Sequence, residues 1–196
     1  MEENRENRLI HQHAKSTRKP YKQCYNSAME SNLQLLKLIK QIHTDCHKLC
    51  KQSLGTYLPV AGNIGIFCQS ESEYNIFTEL REKIAELSDN QDQKYYKLCN
   101  PINIPENKEI PQATYTYLYI RKPDSTPYGK YPGDVDFVLE LSDYTKLKES
   151  VSKGEIKGAE IYDRPGWDTI QITDPNFKSA AYVSTKEFAE KVRVKF

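Results

Sequence analysis

From residue 63 onward the sequence passes twice through the same order of apolar periods, and this repetition constrains the fold more than any other feature. Asn63 to Gln69 (NIGIFCQ) is a short apolar run of strand length. Ser70 or Ser72 can cap the helix SESEYNIFTELREKIAEL, which carries Tyr74, Phe77, Leu80, Ile84 and Leu87 on one side. After the polar turn SDNQDQ, two strands are expected, Tyr95 to Ile104 and Thr114 to Arg121; the proline-rich loop between them has room for one more. The order then restarts. Asp134 to Glu140 (DVDFVLE) reads as a strand and Ser142 as the cap of SDYTKLKESVSKG, followed by strands at Ala159 to Asp163, Thr169 to Thr173 and Ala180 to Ser184. The expected class is α/β (α+β), with two βαβββ modules forming a curved mixed sheet over residues 57–185 and a C-terminal tail at 186–196.

An amphipathic helix precedes this domain. Between Asn32 and about Ser53, Leu35, Leu38, Ile39, Ile42, Cys46, Leu49 and Cys50 recur at spacings of three and four, with Ser31 as N-cap and Gly55 as stop, giving a helix over 32–55. His43, Cys46, His47 and Cys50 stand on its adjacent turns in the pattern H-x2-C-H-x2-C. Zinc sites recruit ligands from separated elements, and both cysteines fall on the apolar stripe, so core packing is the expectation. Residues 1–31 are polar and without period. The charges between Asn7 and Met29 are all basic: Arg8, Lys15, Arg18, Lys19 and Lys22. They describe a flexible basic arm, either a solvated tail or, through residues 8–22, a contact for RNA, DNA or an acidic protein.

A chain of 196 residues suits one well-buried domain better than two small ones. With 28 basic against 27 acidic residues, the net charge of +1 gives no global attraction to nucleic acid or anionic lipid. No apolar run has membrane-spanning length, and MEENRENRLIHQH lacks the apolar core of a signal peptide. Five cysteines, an odd number, suit free thiols in a reducing compartment, so the cytoplasm is expected. Cys68 and Cys99 are expected as buried packing thiols.

The stretch DVDFVLE, a helix, then YDRPGWDTIQITDPNFKSAAYVS carries a strand, an arginine-proline turn and a closing Asp174-Pro175-Asn176 turn. Asn63-Ile64-Gly65-Ile66 opens the first unit. In these motifs and in its doubled order, the chain over about residues 60–185 resembles the vicinal oxygen chelate superfamily, the glyoxalase and extradiol dioxygenase fold. The resemblance implies paired βαβββ modules around a concave face. Metal-dependent members place ligands on the first and last strands of each module. Here those positions fall on Asn63 and Asp134 and near Tyr119 and Tyr182, and all four histidines lie within the first 47 residues. Only Asp134 is a good ligand there, which argues against the usual metal chemistry.

Alternation supplies the faces. Ile64, Ile66, Cys68, Val135, Phe137 and Leu139 should point toward the helices. Asn63, Gly65, Phe67, Asp134, Asp136 and Val138 should line the opposite, concave side, and Tyr115, Tyr117, Tyr119 and Arg121 share one side of their strand. Asp134-Val135-Asp136 also matches the D-x-D strand of nucleotidyltransferases, but the glycine-serine turn those enzymes need is missing, which leaves an aspartate pair facing solvent. The loop from Arg121 to Gly133 is either a lid or a connector. The reading that follows is a small-molecule-binding protein of glyoxalase-like fold, without a metal or other cofactor, whose polar ligand meets Asn63, Tyr117, Arg121, Asp134, Asp136 and Gln171. The alternative is an interaction or assembly subunit using the arm and first helix. A lyase- or dioxygenase-like enzyme with a metal at Asp134 comes third.

Overall fold

The computed structural model describes residues 20–88, 90, 93–164 and 166–195, with side chains described outside 20–29, 31, 164 and 192–195. Seven strands form one mixed sheet, curved and open. The elements are α1 (Pro20–Leu54), β1 (Val60–Phe67), α2 (Glu71–Ile84), β2 (Tyr95–Ile104), β3 (Ala113–Arg121), β4 (Gly133–Leu139), α3 (Leu141–Ser152), β5 (Ala159–Arg164), β6 (Trp167–Ile172), β7 (Ala180–Thr185) and α4 (Lys186–Lys195). Strand order is β2-β3-β1-β4-β7-β6-β5. In each half the first strand runs parallel to the last, and β1 and β4 join the halves as an antiparallel pair.

The helix-facing set is as alternation predicts. Ile64, Ile66, Val135 and Phe137 are fully buried, and they form one core with Phe77 and Leu80 of α2, Tyr144 and Val151 of α3, and Leu35, Ile39, Ile42, Cys46, Leu49 and Cys50 of α1. The apolar stripe of α1 is therefore part of the domain core rather than a free face. Its close approach needs a bare sheet position: a Cβ on Gly133 would stand 2.1 Å from the Gly65 carbonyl oxygen and 2.5 Å from Cδ1 of Ile42. On the other side α4 covers one end, where Ala189 packs with Ala61 and Val138, and Phe188 stacks on Trp167 at 4.7 Å.

Several expectations are corrected. The first helix begins at Pro20, so Ser31 lies inside it and residues 20–31 are not arm; proline favours a first helical position, and the apolar period that signals a helix starts only at Leu35. The remaining arm residues, 1–19, lie outside the described residues. Ser142 is not the cap of α3, because Glu140 occupies that position and its carboxylate pairs with Lys186. The first unit is βαββ: residues 105–112 hold no strand, and Asn107 Oδ1 instead accepts from the amides of Glu109 and Ile110 in a turn. Leu87 is 98% exposed beyond the end of α2, and Cys99 is exposed on the edge strand β2, whereas Cys68 is buried as expected. Residues 186–195 are helical rather than a tail.

Tyr115 also departs from its expected face. The β2–β3 register shifts between Lys97 and Ile102, and Tyr115 joins the helix-side core with Leu118 and Ile120. There its hydroxyl bonds His43 Nδ1 at 2.9 Å. His43 and His47 are buried, with rings 4.5 Å apart, and the His47 ring meets Phe137 edge-on at 5.0 Å. Cys46 donates to the Ala180 carbonyl, so these residues pack between α1 and the sheet. Burial lowers the pKa of both histidines to about 4. Tyr115→Phe should cost about 1–3 kcal/mol, since it leaves a buried imidazole nitrogen without its hydroxyl partner; urea denaturation measures it, and an unchanged stability would contradict the assignment.

Candidate functional site

The side of the sheet away from α1, α2 and α3 is built from register. Gly65 faces Asp134 across the β1–β4 seam and Tyr119 across the β1–β3 pair, and Tyr119 in turn faces Tyr95 on β2. One step along, Asn63 pairs with Tyr117, while Asp136 pairs with Tyr182 and Tyr182 with Gln171. Strands distant in sequence thus bring two carboxyls, two amides and several phenols to one face.

Asp134 sits over Gly65 because Gly65 has no side chain. A Cβ there would come 2.2 Å from Asp134 Oδ1. The hydroxyl of Tyr128, on the 3₁₀ turn Pro127–Lys130, donates to Asp134 Oδ2, so the loop between β3 and β4 covers the carboxyl. Asn63 Nδ2 donates to Asp136 Oδ2 at 3.2 Å, and the Tyr95 hydroxyl reaches the same oxygen at 3.3 Å. Rings continue around the pair: Tyr95 to Tyr119 at 5.6 Å, Tyr119 to Phe67 at 6.3 Å, Phe67 to Tyr128 at 4.6 Å and Tyr128 to Tyr182 at 5.7 Å between centroids. Arg121 caps this arc from the rim. Its guanidinium lies 4.6 Å from the Tyr128 ring centre while pairing with Asp124.

Burial first, and then the neighbouring Asp136, raise the Asp134 pKa to about 8 against the opposing effects of the Tyr128 hydroxyl, Arg121 and the Gly65 amide. The carboxyl is therefore largely neutral at pH 7. Burial first, then the nearby carboxylates, push the Tyr95 and Tyr128 phenols well above their ordinary value, so both remain donors. A neutral acid that donates and accepts, beside Asp136, an amide and phenols, can match a ligand bearing both hydrogen-bond donors and acceptors.

Of the residues expected to bind a ligand, Asn63, Asp134 and Asp136 come together. Tyr117 stands beside Asn63 in register. Gln171 lies on the same face beyond Tyr182, with which it pairs in register, and is 8% exposed. Arg121 is at the rim, tied to Asp124. The expectation that the aspartate pair faces solvent is corrected for Asp134, which is buried at 7% exposure under Tyr128. Tyr128 and Tyr95 were not legible as site residues. Tyr128 lies in an irregular loop without periodicity, and Tyr95 reaches Asp136 only through the β2–β3 register.

The metal implied by the resemblance does not fit this donor set. Asn63 offers an amide and Tyr119 and Tyr182 offer neutral phenols, which leaves Asp134 as the one carboxyl at the implied positions; among the described residues no three His, Cys, Asp or Glu side chains are grouped to hold an ion. The described helices include none long and apolar enough to cross a membrane. Comparison with protein families, with curated proteins and with solved structures found no match for this chain.

Proposed function

We propose that this protein binds a small polar molecule on the tyrosine-walled face, without a metal ion. The observation that carries the reading is the buried Asp134, held neutral beside Asp136 and accommodated by the absence of a side chain at Gly65. A carboxyl kept from water at the centre of a sheet costs stability that an aliphatic side chain would not. Groups of this kind, shifted by burial and by a like-charged neighbour, concentrate at functional sites. The amide of Gln171 and the surrounding phenols supply further polar contacts, and the ring faces supply apolar ones.

The reading is tested by thermal shift and by amide chemical shifts against a panel of polyols, nucleosides and amines. At least one should raise the melting temperature and move resonances at Asn63, Asp136 and Tyr182. Gly65→Ala should abolish that response while the chain stays folded, because the new methyl displaces the Asp134 carboxyl. If no compound moves those resonances, the reading fails.

A further inference from the structure

A concavity of about 540 Å³ lies beside the acid face, at the edge marked by Phe67 and the 3₁₀ turn. It is lined by Leu38 of α1, Phe67 at the end of β1, Glu73 of α2, Lys130 at the end of the 3₁₀ turn with the two residues after it, and Phe177 and Lys178 in the β6–β7 loop. Its volume falls within the roughly 300–1,000 Å³ of small-molecule sites. Five elements meet at it, and its rim is tied down: Gln69 Nε2 shares its two hydrogens among the carbonyls of Phe67, Gly129 and Tyr131 at 2.8, 3.2 and 3.1 Å.

The charges lining this space are not equivalent. Glu73 is already used, since its Oε2 accepts the Gln69 amide at 2.6 Å and its own amide donates to the cap Ser70. Its negative charge therefore sits at the start of α2, where the helix dipole favours it. Lys130 and Lys178 are both exposed and neither forms an ion pair within 4.0 Å among the described residues. Lys130 Nζ lies 5.1 Å from the centre of the Tyr131 ring, and the Lys178 segment meets Asp45, whose pKa burial raises and Lys178 lowers. The cavity thus joins the half-buried apolar side chains of Leu38 and Phe177 to two lysines held by different loops.

We infer that this cavity is a binding site for a small organic anion, an aryl or alkyl carboxylate whose chain lies against Leu38 and Phe177 and whose carboxylate is met by Lys130 and Lys178. The apolar body supplies contact area and the ammonium groups supply charge-assisted hydrogen bonds. The site shares Phe67 with the rings around the acid pair but uses neither Asp134 nor Asp136, so its test is separate from that of the proposed function.

Isothermal titration of the full chain with 3-phenylpropanoate, with octanoate and with the neutral 3-phenylpropanamide tests the assignment. At least one carboxylate should bind with saturation at a 1:1 ratio, about tenfold or more tightly than the amide, the equivalent of about 1.4 kcal/mol. Lys130→Gln and Lys178→Gln should each weaken it severalfold, and the double variant should lose the preference over the amide. Both lysines are exposed, so a melting temperature close to the parent's shows that the variants remain folded. Absence of binding by both carboxylates, equal binding of the amide, or full affinity in the double variant overturns the proposal.

Discussion

Urea denaturation across pH should show a stability maximum near about pH 6.5, with losses on both sides whose causes lie on opposite faces of the sheet. His43 and His47 have pKa values lowered from 6.5 to about 4 by burial between α1 and the sheet. Between those values the unfolded chain holds two protons that the folded chain excludes, so stability falls as pH drops through this window. Asp134 acts in the reverse sense. With its pKa raised from 3.8 to about 8, the folded chain keeps a proton that the unfolded chain has lost, and stability falls as pH rises. Below pH 6.5 two histidines oppose one aspartate; above it only the aspartate acts. Each limb therefore has a net slope of about 1.4 kcal/mol per pH unit. Asp45, whose pKa burial also raises, softens the acid limb near its lower end. The lowered carboxyls of Asp124, Glu109 and Asp168 act at lower pH, below most of this window.

Substitution separates the limbs. His43→Leu with His47→Leu should remove the acid limb, so that stability keeps rising as pH falls below 6.5, whereas Asp134→Asn should abolish the alkaline limb and steepen the acid one to about 2.8 kcal/mol per pH unit. A parent profile that is flat from about pH 4.5 to 6.5, or an acid limb that survives in the histidine variant, would show that burial does not hold these imidazoles neutral.

Phe137→Ala should be the most damaging single truncation, costing about 3–5 kcal/mol at pH 6.5. Phe137 is fully buried on a central strand and pairs in register with Val183. Its ring also supplies the edge contact to His47, so its removal opens a void beside that imidazole. Water entering the void would return the His47 pKa toward its ordinary value. The same variant should thus show a shallower acid limb, which an aliphatic truncation remote from the histidines would not produce. A loss under about 1 kcal/mol with the parent's acid limb would contradict both parts.

How far the site was legible follows from the range over which each signal acts. Ile64, Ile66, Val135 and Phe137 alternate with Asn63, Gly65, Asp134 and Asp136, and a two-residue period places the two sets on opposite faces wherever a strand forms. The same reasoning at helical spacing identifies the buried stripe from Leu35 to Cys50. Ser70 was legible as a cap for the same reason, since its hydroxyl meets an amide only three residues away. Spacing along the chain favours Ser142 as the cap of α3, but β4 ends at Leu139 through its pairing with β7 and the helix follows at once, which puts Glu140 in that position. The extent of α1 was underestimated because its first turns carry no apolar period.

The doubled order of elements, the two faces of the sheet and the candidate residues Asn63, Asp134 and Asp136 were thus determined by the sequence itself, because backbone periodicity is a local property. Only the tertiary structure decided that Asp134 is buried and protonated, that Gly65 makes room for it, that Tyr128 and Tyr95 join it, and that His43 and His47 are held without charge. Each of these depends on atoms brought together from separate strands and helices, and desolvation and proton affinity respond to that surrounding volume rather than to spacing along the chain.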